Sequence, residues 1–383
     1  MECNNNEKKL KNGYTTGSAA TAATKAALMM LVTDIKIDET IITTPSGDTY
    51  TPKVYDQEIC KLKTGIVSKG DIATASIVKE SGDDPDITAS LKIVSHVKVV
   101  NKKGIVIKGG DGVGIVTRPG LDQPVGEYAI NSVPRKMITE VVNEILDNND
   151  IEFGIEVTIS VPEGKNIAEK TFNPHMGIEG GISIIGTTGI VKPMSTEALI
   201  ETIRLDINMQ YSEGKDMCVI VPGNYGVTFL TEKMNFSENE IVLCSNYAGD
   251  SIKMAADIGF KNILFCSHIG KMIKISGGVL NTHSKYGDRR MEFMVDAFLE
   301  AVNRSEVVRK KTDGKVIKIK DKIMECVSTT AALDVINEVD IVKEVSEVIV
   351  EKSVKHLLEA CNNRANIKAI LYENKYGELA RSF

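Results

Sequence analysis

The rhythm of apolar and polar positions changes once along this chain. In the first half, short runs alternate as strands do. Residues 40–44 and 49–55 flank Pro45-Ser46-Gly47-Asp48, a hairpin signal, and residues 72–78 and 87–100 alternate over longer stretches. Ahead of them, Gly13-Tyr14-Thr15-Thr16-Gly17-Ser18 runs into AATAATKAALMMLV, a helix whose apolar surface is mostly alanine, with Thr16 or Ser18 as its N-cap. That helix either packs tightly in a core or aims its first N–H groups at an anionic ligand. Residues 131–146 read as a second helix, capped by Ser132 with Pro134 in the first turn, and residues 151–161 as another strand.

The second half opens with a helix over 195–211. Three apolar strands follow, each ending in a polar turn. Residues 217–221 run into Pro222-Gly223-Asn224-Tyr225-Gly226, 241–244 into Ser245-Asn246-Tyr247-Ala248-Gly249-Asp250, and 262–266 into Ser267-His268-Ile269-Gly270-Lys271. Helical patterns follow the latter two. This strand–turn–helix repeat predicts a parallel sheet with right-handed crossovers, whose ligands sit outside the carboxyl ends of the strands. A helix over 291–302, a charged helical stretch over 310–356 and a last strand over 367–372 complete the pattern. The expected fold is an α+β domain over 1–195, with a mixed or antiparallel sheet and glycine-rich ligand loops. An α/β domain over 196–383 follows, with a mainly parallel, Rossmann-like sheet and strand-end ligand turns. The boundary is expected near 194–196.

Composition narrows the class. Hydrophobic residues make up 42% of the 383 and charged residues 26%, ordinary for a globular protein with a full core. Tryptophan is absent and aromatics reach only 5%, so Ile, Val, Met and Ala must fill that core. A net charge of −6 argues against a nucleic-acid partner but leaves room for an anionic small ligand held by local cations. The seven cysteines form no CxxC pair, which suits free thiols in a reducing cytoplasm. The polar start MECNNNEKKLKNG lacks the apolar centre of a signal peptide, and no apolar run approaches the ~20 residues that span a bilayer. A cytoplasmic protein with no membrane partner is expected.

Glycine and polar clusters then mark candidate chemistry. In Gly181–Ser195, GISIIGTTGIVKPMS, two glycines enclose Thr187 and Thr188, a bend that turns N–H groups outward for a ligand or serves only as a turn. Gly109-Gly110-Asp111-Gly112-Val113-Gly114 is a flexible loop without the GxGxxG fingerprint, followed by Arg118 as a carboxylate or phosphate partner. Gly82-Asp83-Asp84-Pro85-Asp86 lacks cation-loop spacing and reads as a solvated turn. His283, Lys285, Asp288, Arg289 and Arg290 crowd before a helix start, a pattern that suits capping, an anion site or acid–base chemistry. The five histidines stand singly, with no HExxH, so no protein-held zinc is expected. His96 and His356 read as structural, whereas His268 and His283 sit in turns. The residues alone reach a two-domain enzyme with a loop-lined crevice for a polar or anionic ligand.

Six segments together resemble the CbiD family of cobalt-precorrin-5B C1-methyltransferases. They are GYTTGSAATAATKAA, GGDGVGIVTRPGL, AINSVPRKMI, GISIIGTTGIVKPMS, CSNYAGD and HIGKMIKISGGVLNTHSKYGDRRME, in matching order from residue 13 to 292. One departure is Ala19, where the family pattern often has cysteine; alanine supplies neither a nucleophile nor a ligand. The resemblance implies methyl transfer from S-adenosylmethionine to C-1 of a cobalt-bearing, ring-contracted tetrapyrrole, giving cobalt-precorrin-6A in anaerobic cobalamin (vitamin B12) biosynthesis. Cobalt enters as part of the substrate, and neighbouring pathway enzymes are candidate partners. The many carboxylates of that substrate imply Arg118, Lys192, Lys271, Lys285, Arg289 and Arg290 as partners, with Thr15, Thr16, Asp111, Thr187 and Thr188 from the glycine-rich segments. A base is optional, because an attacking ring carbon need not release a proton; His283 and His268 are the candidates. The α/β rule places the cofactor at Gly223, Asn224, Ser245, Asn246 and Gly249. Two rival readings make different forecasts. A kinase with GGDGVGIV as its phosphate loop requires magnesium-dependent ATP binding, against which the missing GKS or GKT counts. A non-catalytic tetrapyrrole carrier binds the corrinoid and ignores S-adenosylmethionine.

Overall fold

The computed structural model describes residues 10–383; Cys3 and the polar leader through Lys9, on which the signal-peptide expectation rested, lie outside the described residues. The chain divides into two compact units, Met1–Thr196 and Glu197–Phe383. Its secondary structure mixes helices with sheets, one of them a five-stranded sheet built on parallel pairs.

In the first unit the sheet runs in the order Tyr55–Cys60, Ile72–Val78, Lys92–Val100, Gly154–Ser160, Ile105–Gly109. Every pair is antiparallel except the last, where Ile105–Gly109 lies parallel to Gly154–Ser160. The alanine-rich helix spans Thr16–Thr33, and up to Leu31 only Lys25 and Met29 escape full burial. Small side chains let it lie close to the sheet, where the Thr24 hydroxyl meets that of Ser95 at 2.9 Å. Its N-cap is Thr15 rather than Thr16 or Ser18, and the Thr15 hydroxyl accepts from the Ser18 N–H. The helix Ser132–Asn148 begins at its expected cap, one residue earlier than that cap places it. Asn131 takes the N-cap position, and Ser132 instead donates through its N–H and hydroxyl to Asp122. The predicted hairpin is short, pairing Ile42–Thr43 with Thr49–Tyr50.

The Gly82–Asp86 turn is not simply solvated. Lys79 is buried and pairs with Asp86 at 2.5 Å, while Asp83 and Asp84 accept from the backbone N–H groups of Lys11 and Met194.

In the second unit the sheet order is Ile241–Leu243, Met217–Val221, Asn262–His268, Asn366–Glu373, Gly377–Arg381. The first four strands are parallel, and the last forms an antiparallel hairpin that the sequence pattern did not flag. A helix follows each of the three early strands, including Asn224–Met234 after the first, where none was expected. The charged stretch resolves into Glu306–Lys311, Val316–Met324, Thr329–Asn337 and Val342–Ala360. Each unit closes its own core: one cluster draws on residues 19–184, two others on residues 203–380. Among the described residues no helix is long and apolar enough to cross a membrane, and the six described cysteines are free thiols.

Candidate functional site

The strand order of the second unit creates a switch point. From Met217–Val221 the chain crosses one way to Ile241–Leu243; from Asn262–His268 the path leads to the opposite side of the sheet. At such a point the two outgoing loops part and leave a crevice outside the carboxyl ends. Pro222-Gly223-Asn224 and His268-Ile269-Gly270-Lys271 border it, with Ser245-Asn246-Tyr247 on the next strand end. A side chain built at Gly223 meets nothing within 4 Å, so its backbone is open. Tyr225, beside it, is 74% exposed.

The helix Ile269–Ser276 ties this edge together with two lysines three residues apart, hence on one face. Lys271 Nζ donates to the carbonyls of Pro222 at 2.9 Å and Ser245 at 3.1 Å. Lys274 is buried, and its Nζ donates to the carbonyls of Thr282 and Gly287 at 3.2 and 3.3 Å. Asn246 joins the same assembly: its carbonyl accepts from the Thr282 N–H and its side-chain oxygen from the Thr282 hydroxyl. Gly249 packs so closely on Leu280 that an added Cβ sits 2.8 Å from the Leu280 Cβ. Asn246 and Gly249 therefore hold the 280–287 segment in place, whereas Gly223, Asn224 and Ser245 border the crevice.

Both candidate histidines act as helix caps. His268 Nδ1 accepts from the Gly270 N–H at 3.1 Å, and its Nε2 faces Glu373 Oε1 at 3.7 Å. A neutral ring with Nδ1 as acceptor carries its proton on Nε2. Burial lowers the imidazole pKa below its ordinary 6.5, against the pull of Glu373, so the neutral form holds near pH 7. Its free lone pair is therefore already engaged, which suits a positioned cap better than a base. The other Glu373 oxygen accepts from the N–H groups of Lys375 and Tyr376, and Thr330 donates to Oε1. His283 is exposed and its Nδ1 accepts from the Lys285 N–H at 3.0 Å. Lys285 and Arg289 are exposed, Arg289 pairing with Glu292 at 2.5 Å. Arg290 grips Asp288 and, with Lys274 nearby, holds that carboxyl down at about 2.

The candidates of the first unit form a separate, backbone-rich assembly. Thr16 donates to the carbonyls of Ser183 and Ile185 and accepts from the Ile185 N–H, and the Gly17 N–H donates to the Ile185 carbonyl. Thr15 N–H and the Ser18 hydroxyl both donate to the Gly189 carbonyl. The Gly17 and Ser18 N–H groups at the start of the alanine-rich helix are thus taken by Ile185 and by the Thr15 hydroxyl, and the N–H of the capping Thr15 goes to Gly189. Thr187, Thr188 and Lys192 remain exposed around that bend. The glycines of GGDGVG serve close approach: a Cβ at Gly112 would lie 1.8 Å from the Val161 carbonyl oxygen, and one at Gly181 2.2 Å from that of Gly112. Asp111 is exposed, while Arg118 lies over Gly177 and donates to the His175 carbonyl at 2.7 Å. Ala19 is fully buried in the core, so that position has no face toward a ligand. A groove of about 330 Å³ lined by Thr21, Lys25, Ile41 and Glu140 contains none of the sequence-derived candidates.

Sequence reasoning passed over Lys274 and Glu373. The KMIK spacing around Lys274 was visible, but its burial was not. Glu373 becomes a neighbour of His268 only when their two strands pair, the register setting His268 opposite Tyr372.

The second unit is an α/β fold whose parallel sheet has a switch point, the place where open sheets of this kind leave a crevice. The model of the CbiD family matches residues 3–193. A cobalt-precorrin-5B C(1)-methyltransferase of Ruminiclostridium cellulolyticum is 39% identical over 98% of this chain and 92% of its own length. Namesakes from Thermoanaerobacter sp. (38%, over 98% of this chain and 96% of theirs) and Methanocaldococcus jannaschii (39%, over 82% and 84%) are similarly close. A crystal structure of a cobalamin biosynthesis protein (cbiD) from Archaeoglobus fulgidus aligns at 23% identity over 73% of this chain and 84% of its own, with a TM-score of 0.37. This chain belongs to the CbiD family.

Proposed function

We propose that this protein is a C-methyltransferase of cobalamin biosynthesis that methylates C-1 of cobalt-precorrin-5B to give cobalt-precorrin-6A. One observation carries the reading: identity near 38% to methyltransferases of that name extends over 98% of the chain, both units included. The methyl donor in this reading is S-adenosylmethionine, and the cobalt belongs to the substrate. The family relation, rather than the edge geometry, separates this reading from a corrinoid carrier. Against the phosphate-loop kinase stands the packing of Gly112 and Gly181, which leaves no cradle in GGDGVG.

The switch-point edge suits the donor. Gly223 lets a ligand approach the backbone, and the exposed Tyr225 ring offers a face to a nucleoside. The donor supplies an electrophilic methyl group on a sulfonium. The protein's share is positioning, which holds the attacking ring carbon in line with that methyl. No side chain has to take up a proton, consistent with two histidines whose Nδ1 lone pairs are engaged. In the second unit, exposed Lys285 and Arg289 are suited to propionate and acetate groups of the macrocycle; exposed Lys192 of the first unit, taken by itself, carries the same chemistry. A cytoplasmic setting and hand-over between neighbouring pathway enzymes belong to the same reading.

The test is anaerobic incubation with cobalt-precorrin-5B and methyl-labelled S-adenosylmethionine, followed by mass spectrometry. The expected product is heavier by one labelled methyl. Bound, intact corrinoid without transfer would point to the carrier.

A further inference from the structure

Lys271 stands at the switch point with a charge that the protein itself does not balance. An ammonium group has three N–H donors, and two of them go to Pro222 and Ser245. No aspartate or glutamate among the described residues forms an ion pair with Lys271 or with Lys274, its neighbour on the helix face. The acidic group that acts on the Lys271 charge is the Cys244 thiol, which burial pushes up to about 12 and which is therefore uncharged near neutral pH. Burial and the neighbouring Lys274 charge both act against the Lys271 ammonium and lower its pKa. The first turn of Ile269–Ser276 adds further positive potential at the same place. A half-buried cation held only by carbonyl dipoles, next to a second cation, is costly unless an anion arrives.

We propose that the third N–H of Lys271 receives a ligand carboxylate, making the switch point an anion subsite built between the Pro222 and Ser245 turns. The proposal rests on the methyltransferase reading for the identity of its ligands, and it assigns the role to one residue. Two ligands of that reaction carry the chemistry: the amino-acid carboxylate of the methyl donor, and the acetate or propionate groups of the corrinoid.

Two pairs of compounds separate these sources by calorimetry on the full chain. S-adenosylhomocysteine carries the carboxylate that 5′-methylthioadenosine lacks. Cobyrinic acid carries the carboxylates that its heptamethyl ester lacks. Lys271→Gln keeps donors for the two carbonyls and removes the charge. One acid is expected to bind this variant at least about tenfold more weakly than wild type, with its neutral analogue unchanged and Lys271→Arg restoring affinity. Loss confined to S-adenosylhomocysteine assigns the carboxylate to the donor, and loss confined to cobyrinic acid assigns it to the corrinoid. Equal affinity of both acids for wild type and variant, or equal losses for acid and analogue, overturns the proposal and leaves Lys271 a tether of two turns. A wild-type chain that binds neither pair overturns the methyltransferase reading instead, and the proposal with it. Should Lys271→Gln fail to fold, reductive methylation of wild type read by peptide mass spectrometry serves. Protection of Lys271 by an acid but not its analogue supports the subsite; no protection by either acid rejects it.

Discussion

Gly112 and Gly223 occupy opposite surroundings, and the contrast separates a glycine needed by the fold from one open to a ligand. Gly112 has φ +69° and its missing Cβ points at the Val161 carbonyl oxygen. Alanine there must move backbone on both sides, so Gly112→Ala is expected to cost roughly 3 kcal/mol or more in urea unfolding. Gly223 has φ 175°, extended backbone that any residue adopts, and open space around it. Gly223→Ala is expected to keep stability within about 0.5 kcal/mol while weakening S-adenosylhomocysteine binding. A variant that binds the compound as wild type does would remove Gly223 from the donor site. The two residues looked alike in the sequence, each a glycine in a polar turn. Only the neighbours, distant along the chain, tell them apart.

Single elements show where pattern succeeds and where it stops. The strand Met217–Val221 and the alanine-rich helix were legible because local periodicity and side-chain size decide them. The caps were not, because Asn131 competes with Ser132 at one helix and Thr15 with Thr16 and Ser18 at the other, and the choice depends on a partner such as Asp122. The Gly82–Asp86 turn is the clearest case. Its aspartates read as solvated, yet buried Lys79 needs Asp86, whose carboxyl is pushed up by burial but pulled further down by hydrogen bonds from Lys79 and Thr88. Asp86→Asn strands that ammonium and is expected to cost about 3 kcal/mol in urea unfolding. The folded carboxyl lies below its ordinary 3.8, so its contribution is complete above that value and is lost as pH falls through the folded pKa. Wild type should therefore lose more stability than Asp86→Asn on acidification below about pH 4. Parallel acid profiles for the two proteins would exclude this role for the pair.

At the scale of the whole molecule, each unit has a hydrophobic core of its own. The fragment 197–383 is accordingly expected to melt cooperatively when expressed alone, with calorimetric and van't Hoff enthalpies in agreement. A broad, non-cooperative melt would mean that its core depends on the first unit. The sequence by itself determined most of the longer helices and strands, though not Asn224–Met234 or Gly377–Arg381, together with the parallel rhythm of the second half and the family. Each of these is written in neighbouring residues or in ordered segments that survive comparison. Tertiary structure alone decided which polar groups remain available. It set His268 beside Glu373 through strand register, buried Lys274 against the Thr282 and Gly287 carbonyls, and tied the start of the alanine-rich helix to Ile185 and Gly189. The physical reason is that a donor or acceptor is available only after the packed chain has satisfied its own buried polar groups. Those partners come from segments whose separation along the chain carries no local signal.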